Sequence, residues 1–139
     1  MSQLVPRRIF SVRTRYVECD AWGEIFLHTW LLYFGEAAGN ALGEMGLDLR
    51  KICGPSGPIR QASASLNVWE PVSVDRLLEF DVAVEIPSPT LGFDARIQAR
   101  AHNGGVILAD GILHFHRRSS TPMAVQQGDW DEILKRLLV

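Results

Sequence analysis

Residues 92 to 102 alternate without a break, with Phe93, Ala95, Ile97, Ala99 and Ala101 set against Asp94, Arg96, Gln98, Arg100 and His102. A period of two puts the first set on one face of a strand and the second on the other. The same pattern runs through 77–86, where Phe80, Val82, Val84 and Ile86 alternate with Glu79, Asp81 and Glu85. It recurs over 59–69, with Ala62, Ala64, Leu66 and Val68 against Gln61, Ser63, Ser65 and Asn67. Asn103-Gly104-Gly105 predicts a tight hairpin into a further strand over 106–117. Phe10, Val12, Thr14 and Tyr16 against Arg13 and Arg15 predict a first strand over 8–17.

Between Leu27 and Met45 the period becomes helical. Trp30, Leu31, Phe34, Ala38, Ala41, Leu42 and Met45 share one face, and Glu36, Asn40 and Glu44 the opposite one. Gly35, Gly39 and Gly43 form a stripe on the border. Each glycine costs a helix roughly 1 kcal/mol against alanine, so the stripe predicts close packing by a sheet or a partner chain. Gly46 is placed to end the helix. The breaker-rich stretch 51–58 reads as a loop. Near the C-terminus, Asp129 with Glu132 has capping-box spacing and predicts a short amphipathic helix over 128–139.

Five antiparallel strands, each with one apolar face, and one long helix to cover them give an α+β architecture in a single domain over residues 1–139. The other sheet face reads as polar but not heavily charged, open to water or to another subunit. The 139 residues are 47% hydrophobic, enough for one core. The net charge of -2 comes with scattered arginines and lysines, which argues against nucleic acid as a partner. No run is long enough to span a membrane, and no apolar leader follows Met1. Cys19 and Cys53 have no metal-ligand spacing and read as reduced thiols of a cytoplasmic protein.

The chemistry concentrates where the first strand gives way to the long helix. Asp20 lies at that bend and Gly23 supplies a turn of positive φ. The helix start then offers free N–H groups near Phe26, Leu27 and His28. A carboxylate beside such donors suits acyl transfer: the donors hold the oxygen that turns negative, and the acid attacks the carbonyl carbon or activates a water. A thiolate, with a conjugate-acid pKa of roughly 8.5, leaves without a separate proton donor. A thioester is therefore the acyl compound that one carboxylate can hydrolyse alone. The same aspartate also suits a plain structural task as turn former or side-chain cap.

Asp20-x-x-Gly23, Ile25 and Phe26, the aromatic Trp30, and Tyr33-Phe34-Gly35-Glu36-Ala37 together resemble the acyl-CoA thioesterases of the hotdog fold. The chain is most similar to the 4-hydroxybenzoyl-CoA thioesterase branch, which includes the Tol-Pal-associated enzymes. Trp69-Glu70-Pro71, Asp75 and Leu91-Gly92-Phe93 extend the resemblance over nearly the whole chain. It implies a sheet wrapped around a central helix and hydrolysis of an acyl-CoA or acyl-carrier thioester. It also implies a homodimer or homotetramer with the site between subunits. No cofactor is implied beyond the coenzyme A of the substrate. By the same resemblance Asp20 is the catalytic acid, Gly23 its turn, and the backbone N–H near Leu27 the oxyanion donor. Leu27 stands where relatives carry Tyr or His, and Thr29-Trp30 replace an Asn-Tyr pair. Glu24 and Trp22 are departures too, and His28 lies one residue beyond a histidine of some relatives.

Other residues carry two readings each. Trp30, Phe26 and Trp69 line an acyl pocket or belong to the core. Arg117 and Arg118, with Ser119 and Ser120, bind coenzyme A phosphates or end a strand in water. Glu36 is a second acid or a surface charge. Cys19 is a nucleophile or a buried thiol. His114 and His116 ligate a metal or face solvent, with no carboxylate evident beside them. Beyond hydrolysis, a non-catalytic acyl-binding protein or a dehydratase of the same fold is the alternative function.

Overall fold

In the computed structural model, which describes residues 8–54, 57–102, 105–118 and 123–138, the alternating segments form one antiparallel sheet. Its strands are β1 (Arg8–Arg13), β2 (Ile59–Val68), β3 (Leu77–Ser88), β4 (Gly92–Ala101) and β5 (Ile107–Arg117), in the spatial order β1-β3-β4-β5-β2. The cross-strand register keeps the apolar sets together: Phe80 faces Ala99, Val82 faces Ile97, and Phe93 faces Phe115. Helix α1 (Leu27–Glu44) lies on that face. Trp30 and Phe34 meet Phe80 at ring separations of 6.2 and 6.0 Å, and all three rings are buried. Full burial of each such side chain contributes about 1.5–3 kcal/mol, so this aromatic cluster fixes where the helix sits. Gly46, at φ +81°, turns the chain out of the helix.

Several expectations change. The buried face of α1 is Thr29, Trp30, Tyr33, Phe34, Ala37, Ala38, Ala41 and Leu42, so Tyr33 and Ala37 are inside and Leu31 is 40% exposed. The helix meets the sheet a little to one side of the stripe that the sequence favours, with Tyr33 and Phe34 both packed on Phe80. Within the chain, the glycine stripe is not tightly packed. A Cβ at Gly35 or Gly43 would have no neighbour within 4 Å, and one at Gly39 would make an ordinary 3.7 Å contact with Leu49. The glycine that admits the helix is Gly111 on β5, where a Cβ would overlap the Ser65 carbonyl oxygen and come within 2.8 Å of Phe34 Cε2.

The first strand stops at Arg13 and is followed by a 3-10 turn, Tyr16–Glu18, which leaves Tyr16 82% exposed. The stretch 51–58 is not wholly loop, since α2 (Leu49–Ile52) begins on Asp48, whose side chain accepts from Arg50 N. Helix α3 is Met123–Leu137, so Asp129 lies inside it rather than capping it. Trp130, Ile133 and Leu137 form its buried face. The predicted 103–105 hairpin falls partly outside the described residues, as do Ser119 and Ser120.

The outer sheet face is more charged than its alternation suggested. Arg96 pairs with Glu85 at 2.9 Å, Arg100 with Asp81 at 3.4 Å, His102 with Glu79 at 2.7 Å and His114 with Asp94 at 2.7 Å. The paired groups reach water, so each is worth about 0–1 kcal/mol. No helix among the described residues is long and apolar enough to cross a membrane.

Candidate functional site

Strand β1 ends on a pinned residue. Thr14 is buried, donates its hydroxyl to Ser73 O at 2.7 Å and accepts from Arg76 N at 2.8 Å. From there the chain doubles back on itself. An isolated bridge pairs Cys19 with Ile25, and another pairs Glu24 with Ser73. Between Cys19 and Ile25 the chain turns tightly, with Gly23 at φ +80°, a conformation that other residues adopt at a cost.

Asp20 organises this turn. Its Oδ1 accepts from Trp22 N at 2.9 Å and Glu24 N at 3.0 Å, and its own N–H donates to Glu24 O at 2.6 Å. The structural task therefore falls on one carboxylate oxygen. Oδ2 has no hydrogen-bond partner among the described residues, and the side chain is half-buried.

Three residues past the turn α1 begins. Phe26 precedes it in an extended conformation with no side-chain cap, and its carbonyl accepts from Thr29 N at 3.0 Å and Trp30 N at 3.4 Å. The N–H groups of Leu27 and His28 have no partner among the described residues. Leu27 and His28 are exposed, and the Phe26 and His28 rings stack at 4.8 Å. Two uncapped donors, the positive end of an eighteen-residue helix and a carboxylate with one free oxygen thus share one corner of the fold.

Sequence reasoning missed Glu18. Its carboxylate accepts from Arg15 N at 2.9 Å, Arg15 Nη2 at 2.9 Å and Tyr33 Oη at 2.5 Å. Its carbonyl accepts from Phe26 N at 3.1 Å and Thr29 Oγ1 at 3.3 Å. The Arg15 hydrogen bond, with help from Tyr33 and against burial, holds the Glu18 carboxyl below the usual carboxylate range. Burial, reinforced by Glu18, raises the Tyr33 phenol well above its ordinary value. The only signal in the sequence is Tyr33 itself, an amphipathic ring one turn after Trp30 whose hydroxyl needs a partner when buried.

The remaining candidates separate. Trp30 is a core residue, 1% exposed. Trp69 is 60% exposed, and its Nε1 donates to Asp110 Oδ2 at 3.1 Å. Arg118 is spent on carbonyls, bonding Ile59 O, Cys53 O and Gly54 O at 3.0–3.3 Å. Arg117 lies over the Trp130 ring at 5.9 Å. Both arginines adjoin the Ile59 end of β2, while the Asp20 turn joins Val72 and Ser73 beyond its other end. The ten residues of β2, a strand roughly 30 Å long at about 3.3 Å per residue, lie between those two attachment points along the chain.

Cys19 is half-buried, its thiol donating weakly to Arg15 O at 3.5 Å. Burial, then Asp20 and Glu18, raise its pKa, which opposes the thiolate a nucleophile needs. Burial pushes the Cys53 thiol up to about 11. Glu36 is exposed. His114 does have a carboxylate beside it, Asp94, yet the described residues contain no group of three or more His, Cys, Asp or Glu suited to a metal.

Leu31, displaced from the core, lines a cleft of about 280 Å³ with Gln61, Ala62, Ser63, Ala64 and Leu113. It lies four residues after Leu27, about 6 Å along the helix. A larger cleft of about 470 Å³, between Gly46–Asp48, α2 and α3, opens near Pro58 instead and so belongs with the arginine end of β2.

No protein-family model matches the chain, and no curated protein matches its sequence. Solved structures do match its shape. A DHNA-CoA thioesterase from Staphylococcus aureus superposes with a TM-score of 0.75 at 14% identity, over 95% of this chain and 91% of that one. A 1,4-dihydroxy-2-naphthoyl-CoA thioesterase from Synechocystis gives 0.73 at 16%, over 90% and 95%. The 4-hydroxybenzoyl-CoA thioesterase from Pseudomonas sp. strain CBS-3 gives 0.70 at 14%, over 93% and 99%. The five-stranded antiparallel sheet and the long helix laid across it, matched over nine-tenths of the chain, make this an α+β protein of the hotdog fold.

Proposed function

We propose that the chain is a thioesterase that hydrolyses an acyl-CoA, or the same thioester on an acyl carrier protein, to free acid and thiol. One observation carries this reading. Asp20 is fixed through Oδ1 and keeps Oδ2 free, at the turn that leads to the unpartnered Leu27 N–H. The thioester oxygen takes the Leu27 N–H, and the helix end stabilises the charge it gains. Asp20 then either attacks the carbonyl carbon or removes a proton from an attacking water. Attack expels the thiolate and leaves a mixed anhydride that water opens to the acid and a regenerated carboxylate. Activated water expels the thiolate directly.

The cleft beside Leu31 suits the acyl group, because Leu31, Ala62, Ala64 and Leu113 give it an apolar lining beside Gln61 and Ser63, and it begins one helical turn from the donor. Trp30 and Trp69 do not line it. Support for a homodimer comes from β2, a ten-residue edge strand that pairs with β5 alone among the described strands, from Leu31 exposed beside it, and from exposed Leu27 and Leu32 on the same helix. Two β2 edges running antiparallel would set the Ile59 end of one chain against the Val68 end of the other. Arg117 of one protomer then approaches the Asp20 turn of its partner, where a coenzyme A phosphate is within its reach. Two free thiols agree with a cytoplasmic setting.

The test is thiol release from a panel of aromatic, short aliphatic and long aliphatic acyl-CoA thioesters. Turnover of one class, diminished by Leu31→Trp for the bulkier acyl groups, is the expected result. Binding without turnover across the panel would replace the hydrolase with an acyl-binding protein in which Asp20 only shapes its turn.

A further inference from the structure

Glu18 stands two residues before Asp20 and bonds to both sides of the corner that holds it. Its carbonyl takes the N–H of Phe26, the residue immediately before the Leu27 donor, and the hydroxyl of Thr29. Its carboxylate takes Arg15 N and Nη2, two residues past the end of β1, and the Tyr33 hydroxyl on the second turn of α1. Tyr33 belongs to the core: it is 1% exposed, and its ring packs edge-on against Trp30 and Phe80 at 6.3 and 5.9 Å. Apart from the short Cys19–Ile25 and Glu24–Ser73 bridges, the Asp20 turn is exposed from Ala21 to Glu24. The turn takes its position relative to the helix from a small set of bonds: Ile25 N donates to Val72 O at 2.9 Å, Phe26 N and Thr29 Oγ1 donate to Glu18 O, and the Tyr33 hydroxyl donates to the Glu18 carboxylate, the member of the set that reaches the second turn of α1.

We infer that Glu18, held by Tyr33, is a positioning residue that sets the spacing between the Asp20 carboxylate and the N–H donors at the start of α1. It touches no reacting atom. The inference rests on the hydrolase reading for its kinetic consequence, but its structural content does not. Loss of the Tyr33 hydroxyl removes a donor from Glu18 and leaves the buried ring in place. The turn is then free to drift, and a displacement near 1 Å between reacting groups costs up to about 100-fold in rate.

The experiment compares wild type with Tyr33→Phe, Glu18→Gln and Glu18→Ala. Each is read for kcat and KM on the best thioester of the panel, for melting temperature, and for amide hydrogen exchange of the segment 19–28. Tyr33→Phe should lower kcat roughly 10- to 100-fold with KM changed less than about threefold. It should speed exchange at Glu24 and Phe26 and leave β3 to β5 unchanged. Glu18→Gln, which still accepts one hydrogen bond, should keep more kcat than Glu18→Ala. Combining Tyr33→Phe with Glu18→Ala should cost no more than Glu18→Ala alone. A Tyr33→Phe protein with wild-type kcat and wild-type exchange over 19–28 overturns the inference while leaving the hydrolase standing. A rate loss matched by a lower melting temperature and faster exchange throughout the sheet also overturns it, since that marks general destabilisation. If no thioester is hydrolysed by wild type, the hydrolase reading fails, and selective loosening of 19–28 in Tyr33→Phe still decides the positioning role.

Discussion

Gly111→Ala tests how closely α1 is seated on the sheet. The methyl would overlap the Ser65 carbonyl oxygen, a backbone atom of the edge strand, and sit 2.8 Å from Phe34 Cε2 and 3.3 Å from Leu66 Cα. Ordinary contact begins at 3.4 Å, so Phe34 must retreat by about half an ångström or β2 must swing away. Phe34 is fully buried, its ring 6.4 Å from that of Trp30 and 6.0 Å from that of Phe80. Overpacking of this kind costs about 1–3 kcal/mol. For a domain of this length that is a fall of about 3–10 °C in melting temperature. Thermal unfolding of the two proteins at one concentration and pH measures it. The variant should also lose turnover, because α1 carries Leu27 and Leu31. A melting temperature within a degree of wild type would show that helix and edge strand are not held this close, and the seating of the site described above would be wrong.

Two further outcomes follow from the same geometry. Gly35→Ala adds a methyl to the helix interior with no neighbour within 4 Å, so it should raise stability by about 0.5–1 kcal/mol in urea unfolding; a lower midpoint would mean that another chain packs against that face. Acid should loosen the Asp20 corner. The Glu18 carboxyl is depressed, first by Arg15 and then by Tyr33, below its ordinary value of 4.5. A depressed carboxyl gives its stability in full above the unfolded value and loses it as pH falls through the folded one. Urea midpoints should therefore decline below about pH 4.5, and more steeply for wild type than for Glu18→Gln; equal slopes would remove Glu18 from the linkage.

Much of the fold is legible in the residues themselves. The unbroken alternation of Phe93 to His102 and Phe80 to Ile86 sets strand, face and register together, because a one-residue slip would turn Ile97 and Val82 into water. The α1 stripe is legible in period but less so in phase. By period Leu31 falls on its apolar side and Tyr33 between Asn40 and Glu44 on the other, yet packing against Phe80 takes Tyr33 in and leaves Leu31 40% exposed. The strand β2 shows the opposite difficulty: its small residues alternate well, yet as an edge with a bulge between Gln61 and Ser63 it leaves Ala64 and Val68 exposed. At the site, Asp20 and Gly23 are visible as a local turn signal. Glu18, Tyr33 and the Leu31 cleft are not, since each depends on residues distant in sequence meeting through the packed core. Arg118 misleads for the same reason, because its three backbone carbonyl partners leave no mark in the sequence.

The central claim is that Asp20 does chemistry with the oxygen its turn leaves free. Asn at this position keeps the oxygen that accepts from Trp22 and Glu24 and replaces the other with an amide that can neither attack nor take a proton. The decisive measurement is kcat of Asp20→Asn on the best thioester, taken together with its melting temperature. A fall of at least about 100-fold in kcat at an unchanged melting temperature is the predicted result, since a base role alone is worth about 10²–10⁴-fold. Near-normal kcat, or a loss that tracks a lower melting temperature, would return Asp20 to the plain work of shaping a turn.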